Sequence, residues 1–327
     1  VSDEVVSRRS PGDLLNQRVE PPIVAVVGAT ASGKSELALD LAEALGGEIV
    51  NTDAMAVYRG MDVGTAKTPV AERRGIAHHL LDYLGVKEPL TVAQFQQDAR
   101  AVIAEVRSRG RVPVLVGGSA LYTRAVLDRF KFPGTDEEVR GRLEAELAAV
   151  GPATLHERLG RLDPEAATNI RPDNGRRIVR ALEVVELTGR PFSATLPKLE
   201  YLDAHTVQIG VDIDRPALHE RIGQRVDAMF ADGLVDEVER LIGEGLREGR
   251  TAAVAIGYRE VAAYLDGELS LDEARERTVV ATRRFARRQD SWFRKDPRIV
   301  WVRYDDPRRV EQALAAVGPW AGGPGRQ

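Results

Sequence analysis

Short apolar runs alternate with amphipathic stretches through the first third of the chain. Residues 23–27 (IVAVV) are β-branched, continuous and brief, which predicts a strand buried on both faces. Leu37, Ala38, Leu41, Ala42 and Leu45 then recur at helical spacing and predict a helix with one buried stripe. Residues 48–52 read as a second strand ending at Asp53. A helix over 90–109 carries Phe95, Ala99, Val102, Ile103 and Val106, and residues 112–116 form a further buried strand stopped by Gly117 and Gly118. Strands alternating with helices predict an α/β fold, a parallel sheet covered by helices. The texture changes after about Phe132. Residues 136–189 contain helical stripes (Val139, Leu143, Leu147; then Ile178, Val179, Leu182, Val185) and no strand pattern. Strand character returns at 206–213 and again at 299–302. The expected organisation is a discontinuous core, 21–130 and 200–317, interrupted by a helical insertion, 131–199. A loose extension, 1–20, precedes it and a frayed Gly- and Pro-rich tail, 318–327, follows.

Composition narrows the chemistry. The 327 residues include no cysteine, which excludes disulfides, thiolate nucleophiles and cysteine-ligated zinc. Hydrophobic residues at 43% and charged residues at 29% fit a globular protein. No stretch is apolar for long enough to span a bilayer, and the first twenty residues lack the apolar core of a secretory signal, so no membrane partner and a cytoplasmic location are expected. The formal net charge of -4 does not suggest a polyanion binder. Arginines nevertheless cluster in two places. One cluster is Arg171, Arg176, Arg177 and Arg180. The other is Arg283, Arg284, Arg287, Arg288, Arg294 and Lys295, with Gln289 and Trp292 among them. Helices so decorated can contact RNA phosphates and stack on splayed bases, although charged runs are also ordinary solvated faces. His78 and His79 beside Asp82 make a poor metal site, with too few ligands.

Residues 28–35 match the phosphate-loop pattern G-x-x-x-x-G-K-[ST] between a predicted strand and a predicted helix. Gly28 and Gly33 permit a tight turn. The backbone N–H groups of Thr30, Ala31, Ser32 and their neighbours can surround a phosphate at a helix start. Lys34 supplies a positive charge, and the Ser35 hydroxyl can serve Mg²⁺. The strand at 112–116 ends in Gly117-Gly118-Ser119 rather than in an acidic metal ligand, unlike many nucleoside triphosphatases. Asp53 ends the neighbouring strand, where it can face the phosphate loop. The bound phosphate is therefore a candidate leaving group with Asp53 as base.

Several segments resemble bacterial tRNA dimethylallyltransferases, also called tRNA isopentenyltransferases. They are 28–35, 49–67 (IVNTDAMAVYRGMDVGTAK), 78–82 (HHLLD), 95–99 (FQQDA), 114–122 (VLVGGSALY), 176–184, 256–259 (IGYR) and 282–293 (TRRFARRQDSWF). The resemblance spans about residues 22–304. It implies a phosphate-loop α/β core with a helical insertion that holds the tRNA anticodon stem-loop. It implies transfer of a dimethylallyl group from dimethylallyl diphosphate to N6 of adenine 37, with release of diphosphate and with Mg²⁺ as cofactor. Under it, Asp53 is the base, Ser119 stands where Thr is usual, and Arg225 reaches the diphosphate. Without it, Arg225 is an arginine at the edge of the Leu218, Ile222, Val226 stripe, and Ser119 is a helix cap. Residues implied to meet tRNA are Ala54, Met55, Ala56, Arg176, Arg177, Arg180, Tyr258, Arg259, Arg287, Arg288, Gln289, Trp292 and Arg294. Ala54 and Ala56 replace a common Ser and Gln, Ala29 replaces a common Pro, and Val254 stands where Gln or Arg is frequent. A bacterial, monomeric enzyme is expected. The alternatives are prenylation of free adenylate, disfavoured by the insertion and the basic 283–295 segment, and a phosphate-loop small-molecule kinase.

Overall fold

The computed structural model describes residues 20–193 and 199–319. The expected extension and tail lie almost wholly outside them. The chain divides into two compact units, Val1–Val126 with Asp203–Gln327, and Leu127–Leu202.

The first unit is an α/β layer structure, in agreement with the sequence pattern. Its strands are β1 (Ile23–Val27), β2 (Glu48–Asn51), β3 (His78–His79), β4 (Pro113–Gly117), β5 (Thr206–Asp212) and β6 (Ile299–Arg303). They form one six-stranded sheet of order β3-β2-β4-β1-β5-β6, parallel throughout. β1 lies at the centre, with Val27 opposite both Gly117 and Gly210. Its five residues are all buried, which explains why the run is continuously apolar rather than alternating. Val24 and Val26 join Leu37 and Leu41 of α1 (Lys34–Leu45), Ile209, Val211, and Ala313 of α11 (Arg309–Val317) in one core cluster. Ala25 and Leu115 are as deeply buried on the opposite face, the side of α2 (Val92–Ser108). Thr91 caps α2 by accepting a hydrogen bond from Gln94 N. The pairing of β3 with β2 was not visible in the sequence: two partly buried histidines carry no apolar run.

The unit is completed by α3 (Ala120–Leu127) and four helices after β5. These are α7 (Arg215–Ala231), α8 (Leu234–Gly243), α9 (Tyr258–Leu265) and α10 (Leu271–Phe293). Asp214 caps α7 through Ala217 N, and Ser270 with Glu273 forms a capping box on α10.

The second unit is helical: α4 (Glu137–Leu162), α5 (Pro164–Asn169) and α6 (Gly175–Thr188). Leu143, Leu155, Leu159, Ile170, Ile178 and Leu182 form its core. α4 is broken at Gly151, whose φ of 80° and ψ of 167° precede Pro152. The Gly-Pro pair is the signal for that break, since Pro disfavours helical geometry at the residue before it. The chain ends of this unit pair with each other, Leu202 N donating to Leu127 O and Arg129 N to Glu200 O. Glu183 is fully buried. Burial alone would raise its pKa, but bonds from Arg140, Arg180 and Asp136 N hold the carboxylate below its ordinary range.

Candidate active site

Parallel strands end on a common edge, so the loops after β1, β2 and β4 meet there. They carry residues 28–35, Asp53 and Ser119. A cavity of about 780 Å³ opens at this edge. Thr30, Ala31, Gly33, Lys34, Ser35, Asp53, Ala56, Gly117, Arg221 and Arg225 line one part; the 65–72 segment, Arg74 and His78 line the rest.

The phosphate loop turns into α1 at Gly33, whose φ of 95° would strain any residue with a Cβ. Ala31 adopts a left-handed φ of 64° without being glycine. It is held there from α7: Arg221 Nε donates to Ala31 O at 2.8 Å. Arg225 Nη1 donates to Thr30 Oγ1 at 3.1 Å. Lys34 Nζ donates to Ala29 O at 3.1 Å. The Ser32 hydroxyl is buried without a hydrogen-bond partner, a vacant polar group inside the loop.

The electrostatics are those of an anion site. Loss of water, and then the nearby Arg225, push the Lys34 ammonium down to about 8, while Asp53 opposes the change. Burial and the neighbouring Arg221 likewise disfavour the charge on Arg225, again opposed by Asp53. Lys34 and Arg225 thus share a poorly hydrated corner with one carboxylate, and the exposed Arg221 adds a third positive charge at its edge. A bound anion would relieve their repulsion.

Asp53 is fixed by an Asx turn. Its Oδ1 accepts from Met55 N at 2.8 Å, and its own N donates to Asn51 Oδ1 at 2.9 Å. Asn51 Nδ2 in turn donates to Asp53 O and Leu80 O. Asp53 Oδ2 has no hydrogen-bond partner among the described residues. Ser119 immediately precedes α3, with its carbonyl accepting from Thr123 N. It does not line the cavity.

A second network supports the cavity wall. Glu237 of α8 accepts backbone N–H bonds from Asp62, Val63 and Gly64, and the hydroxyl of Tyr258. Lys67 Nζ, almost wholly buried, binds Asp62, Asp82 and Tyr58 O. Sequence reasoning missed Glu237. A buried carboxylate among charged neighbours has no local signature.

The residues expected to meet RNA fall into four groups. Arg287, Arg288 and Trp292 are exposed on α10, and Arg176 and Arg177 are exposed on α6. Ala54 and Met55 are half-buried, and Ala56 is buried. Others are engaged. Arg180 binds Glu183, Gly134 O and Pro133 O; Arg259 pairs with Glu260; Arg294 pairs with Asp212 and Asp290 and stacks on Trp301 at 3.8 Å. Two differ from the surface placement expected of them. Tyr258 is 0% exposed because its ring packs where a Cβ on Gly64 would sit and its hydroxyl is taken by Glu237. Gln289 is 5% exposed because its amide bridges two loops.

Comparison with known proteins places this geometry. Residues 56–296 match the family model for IPP transferase. The chain belongs to the IPP transferase family. A tRNA dimethylallyltransferase of Nocardioides sp. is 76% identical over 296 residues, covering 90% of this chain and 96% of the relative. One from Salinispora tropica is 58% identical, covering 91% and 93%. Among solved structures, the tRNA isopentenylpyrophosphate transferase of Bacillus halodurans aligns with a TM-score of 0.66 at 40% identity, covering 90% and 94%. A eukaryotic dimethylallyltransferase acting on tRNA aligns at 0.76 and 26% identity, covering 88% of this chain and 74% of that one. The IPP transferase match includes Asp53's neighbours Ala56 to Lys67, Arg225 and the basic part of α10, and begins after the phosphate loop. No helix among the described residues is long and apolar enough to cross a membrane.

Proposed function

We propose that this member of the IPP transferase family transfers the dimethylallyl group of dimethylallyl diphosphate to N6 of adenine 37 in the tRNA anticodon loop. The observation that carries the reading is the dehydrated, self-repelling pair Lys34 and Arg225, with the exposed Arg221 beside it, facing one ordered carboxylate, Asp53. Its cations suit a diphosphate, and Asp53 suits the nucleophile.

Transfer forms a bond from N6 to C1 of the allyl group as the C1–O bond breaks. The electron pair of that bond leaves with diphosphate. Lys34, Arg225 and the N–H groups of the loop neutralise the developing charge. Adenine N6 is a weak nucleophile because its lone pair is delocalised into the ring. Asp53 Oδ2 orients the amine and accepts its proton, while Oδ1 stays fixed by Met55 N. Ser119 is carried on the loop after β4, outside the cavity lining, and no step is assigned to its hydroxyl.

The Ser35 hydroxyl on the cavity wall can be offered to Mg²⁺, and there is no cluster of three or more His, Asp or Glu ligands among the described residues. That donor set fits a cation held mainly by diphosphate oxygens and water. Mg²⁺ would supply further charge neutralisation to the leaving group. Exposed Arg287, Arg288 and Trp292, with Arg176 and Arg177, are the side chains for the RNA. A tRNA substrate supports a cytoplasmic enzyme. Mass analysis of anticodon-loop fragments, after incubation of tRNA lacking the modification with dimethylallyl diphosphate, tests donor, acceptor and product together. The expected result is one dimethylallyl group on the adenosine beside the anticodon. Unmodified fragments, or label on free adenylate only, would overturn the proposal.

A further inference from the structure

We infer that Gln289 is a positioning residue that locks the phosphate loop to the Gly117-Gly118-Ser119 turn, and that it does not read RNA. The inference deepens the proposed reaction and rests on that reading for its kinetic readout alone.

Gln289 sits between the exposed Arg288 and the partly exposed Asp290, yet its side chain points inward from α10. Its Oε1 accepts from Thr30 N at 2.8 Å, and its Nε2 donates to Gly118 O at 2.8 Å. One planar amide thus joins a donor on the first loop to an acceptor on the second. A carboxamide carries both functions in one rigid, uncharged group. Thr30 and Ala31 are also held by Arg225 and Arg221, but those bonds reach α7 alone. Gln289 is a side-chain contact that ties the phosphate loop to the β4 end, beyond the backbone pairing of Val27 with Gly117.

The glycines at that end fit the same device. A Cβ on Gly118 would stand 2.2 Å from Gln289 Nε2, and one on Gly117 would stand 2.2 Å from Thr52 Oγ1, beside Asp53. Bare backbone at both positions lets β2, β4 and α10 close on one another. Thr52 Oγ1 also meets Thr123 Oγ1 at 3.3 Å. The loops bearing the leaving-group cradle, the base and Ser119 are therefore knit through the end of β4. In-line transfer depends on holding donor and nucleophile in register, and a shift of about 1 Å can cost about 10²-fold in rate.

Gln289→Met preserves length and packing and removes both hydrogen bonds. Three quantities decide the matter: the dissociation constant of inorganic diphosphate by calorimetry, that of tRNA by filter binding, and the single-turnover rate at saturating substrates. The expected result is diphosphate binding weakened about fivefold or more, transfer slowed about tenfold or more, and tRNA affinity within about twofold of the parent. Weakened tRNA binding with unchanged diphosphate affinity and rate would overturn the inference, as would a lowered melting temperature with all three constants unchanged. Gly118→Ala supplies a second test should Gln289→Met not fold. It should weaken diphosphate binding in the parent by displacing the amide, and much less in a Gln289→Ala background. Equal effects in both backgrounds would overturn the inference. A parent that binds diphosphate but transfers nothing would refute the proposed reaction and leave these binding comparisons decisive. A parent that binds no diphosphate would refute both.

Discussion

Lys34→Met should make the unliganded protein more stable while destroying its grip on diphosphate. Lys34 is held in a dehydrated corner beside Arg225, and its pKa falls from 10.5 to about 8. Each pH unit corresponds to about 1.4 kcal/mol, so keeping this ammonium charged costs the folded state about 3 kcal/mol at neutral pH. Methionine keeps the aliphatic stem and removes the charge. It also removes the bond to Ala29 O, worth about 1 kcal/mol. The net gain is about 2 kcal/mol, or about 4 °C in melting temperature for a chain of this size. The sign can be followed with pH. Below about 8 both folded and unfolded chains carry the proton, and the parent bears the full penalty. Between about 8 and 10.5 the unfolded chain binds more protons than the folded one, so the parent's stability rises with pH and the advantage of the variant shrinks. Above that window the advantage is gone. Scanning calorimetry in phosphate-free buffer at pH 7 and pH 10 measures it. Added diphosphate should raise the parent's melting temperature and leave the variant's unchanged. A variant less stable than the parent by the same amount at both pH values would refute the reasoning, because Lys34 would then be a packing residue whose charge costs nothing.

Arg287→Glu combined with Arg288→Glu should weaken tRNA binding, make its dependence on salt shallower and leave diphosphate affinity unchanged, since both side chains are exposed on α10 and distant in role from the cation cluster; titrations at two salt concentrations check this. Tyr258→Phe should lower stability by about 1–2 kcal/mol in urea unfolding, because Glu237 loses its hydroxyl donor but keeps three backbone N–H bonds, and should leave tRNA affinity within about twofold.

The centre of the sheet was legible because burial on both faces forces continuous apolar runs, as in β1 and β4, while β2, β5 and β6 kept shorter β-branched stretches. β3 was not, since His78–His79 is a two-residue edge pairing that needs no apolar core. The phosphate loop was legible because its constraint is local: glycines, a lysine and a hydroxyl within eight residues. The Asp53 turn was partly so, through its place at a strand end. Gln289 and Tyr258 were read as surface residues because their neighbours in sequence are charged or belong to a loop. What buries them lies far away in the chain: Gln289 meets Thr30 across 259 positions, and Tyr258 meets Gly64 and Glu237. A single inward-facing amide on a basic helix has no periodic signal. Arg180 and Arg294 illustrate the converse, since their charge was plain in sequence but the carboxylates that engage it were not.

The most direct test of the account is the single-turnover rate of Asp53→Asn with saturating tRNA and dimethylallyl diphosphate, measured beside the binding constants of both. Asparagine keeps an Oδ1 that can accept from Met55 N, so the turn should persist and the protein should fold. It cannot take the N6 proton. The account predicts parent-like affinities and a chemical step slower by about 10²–10⁴-fold. A parent-like rate would contradict it, placing the base elsewhere in the cavity.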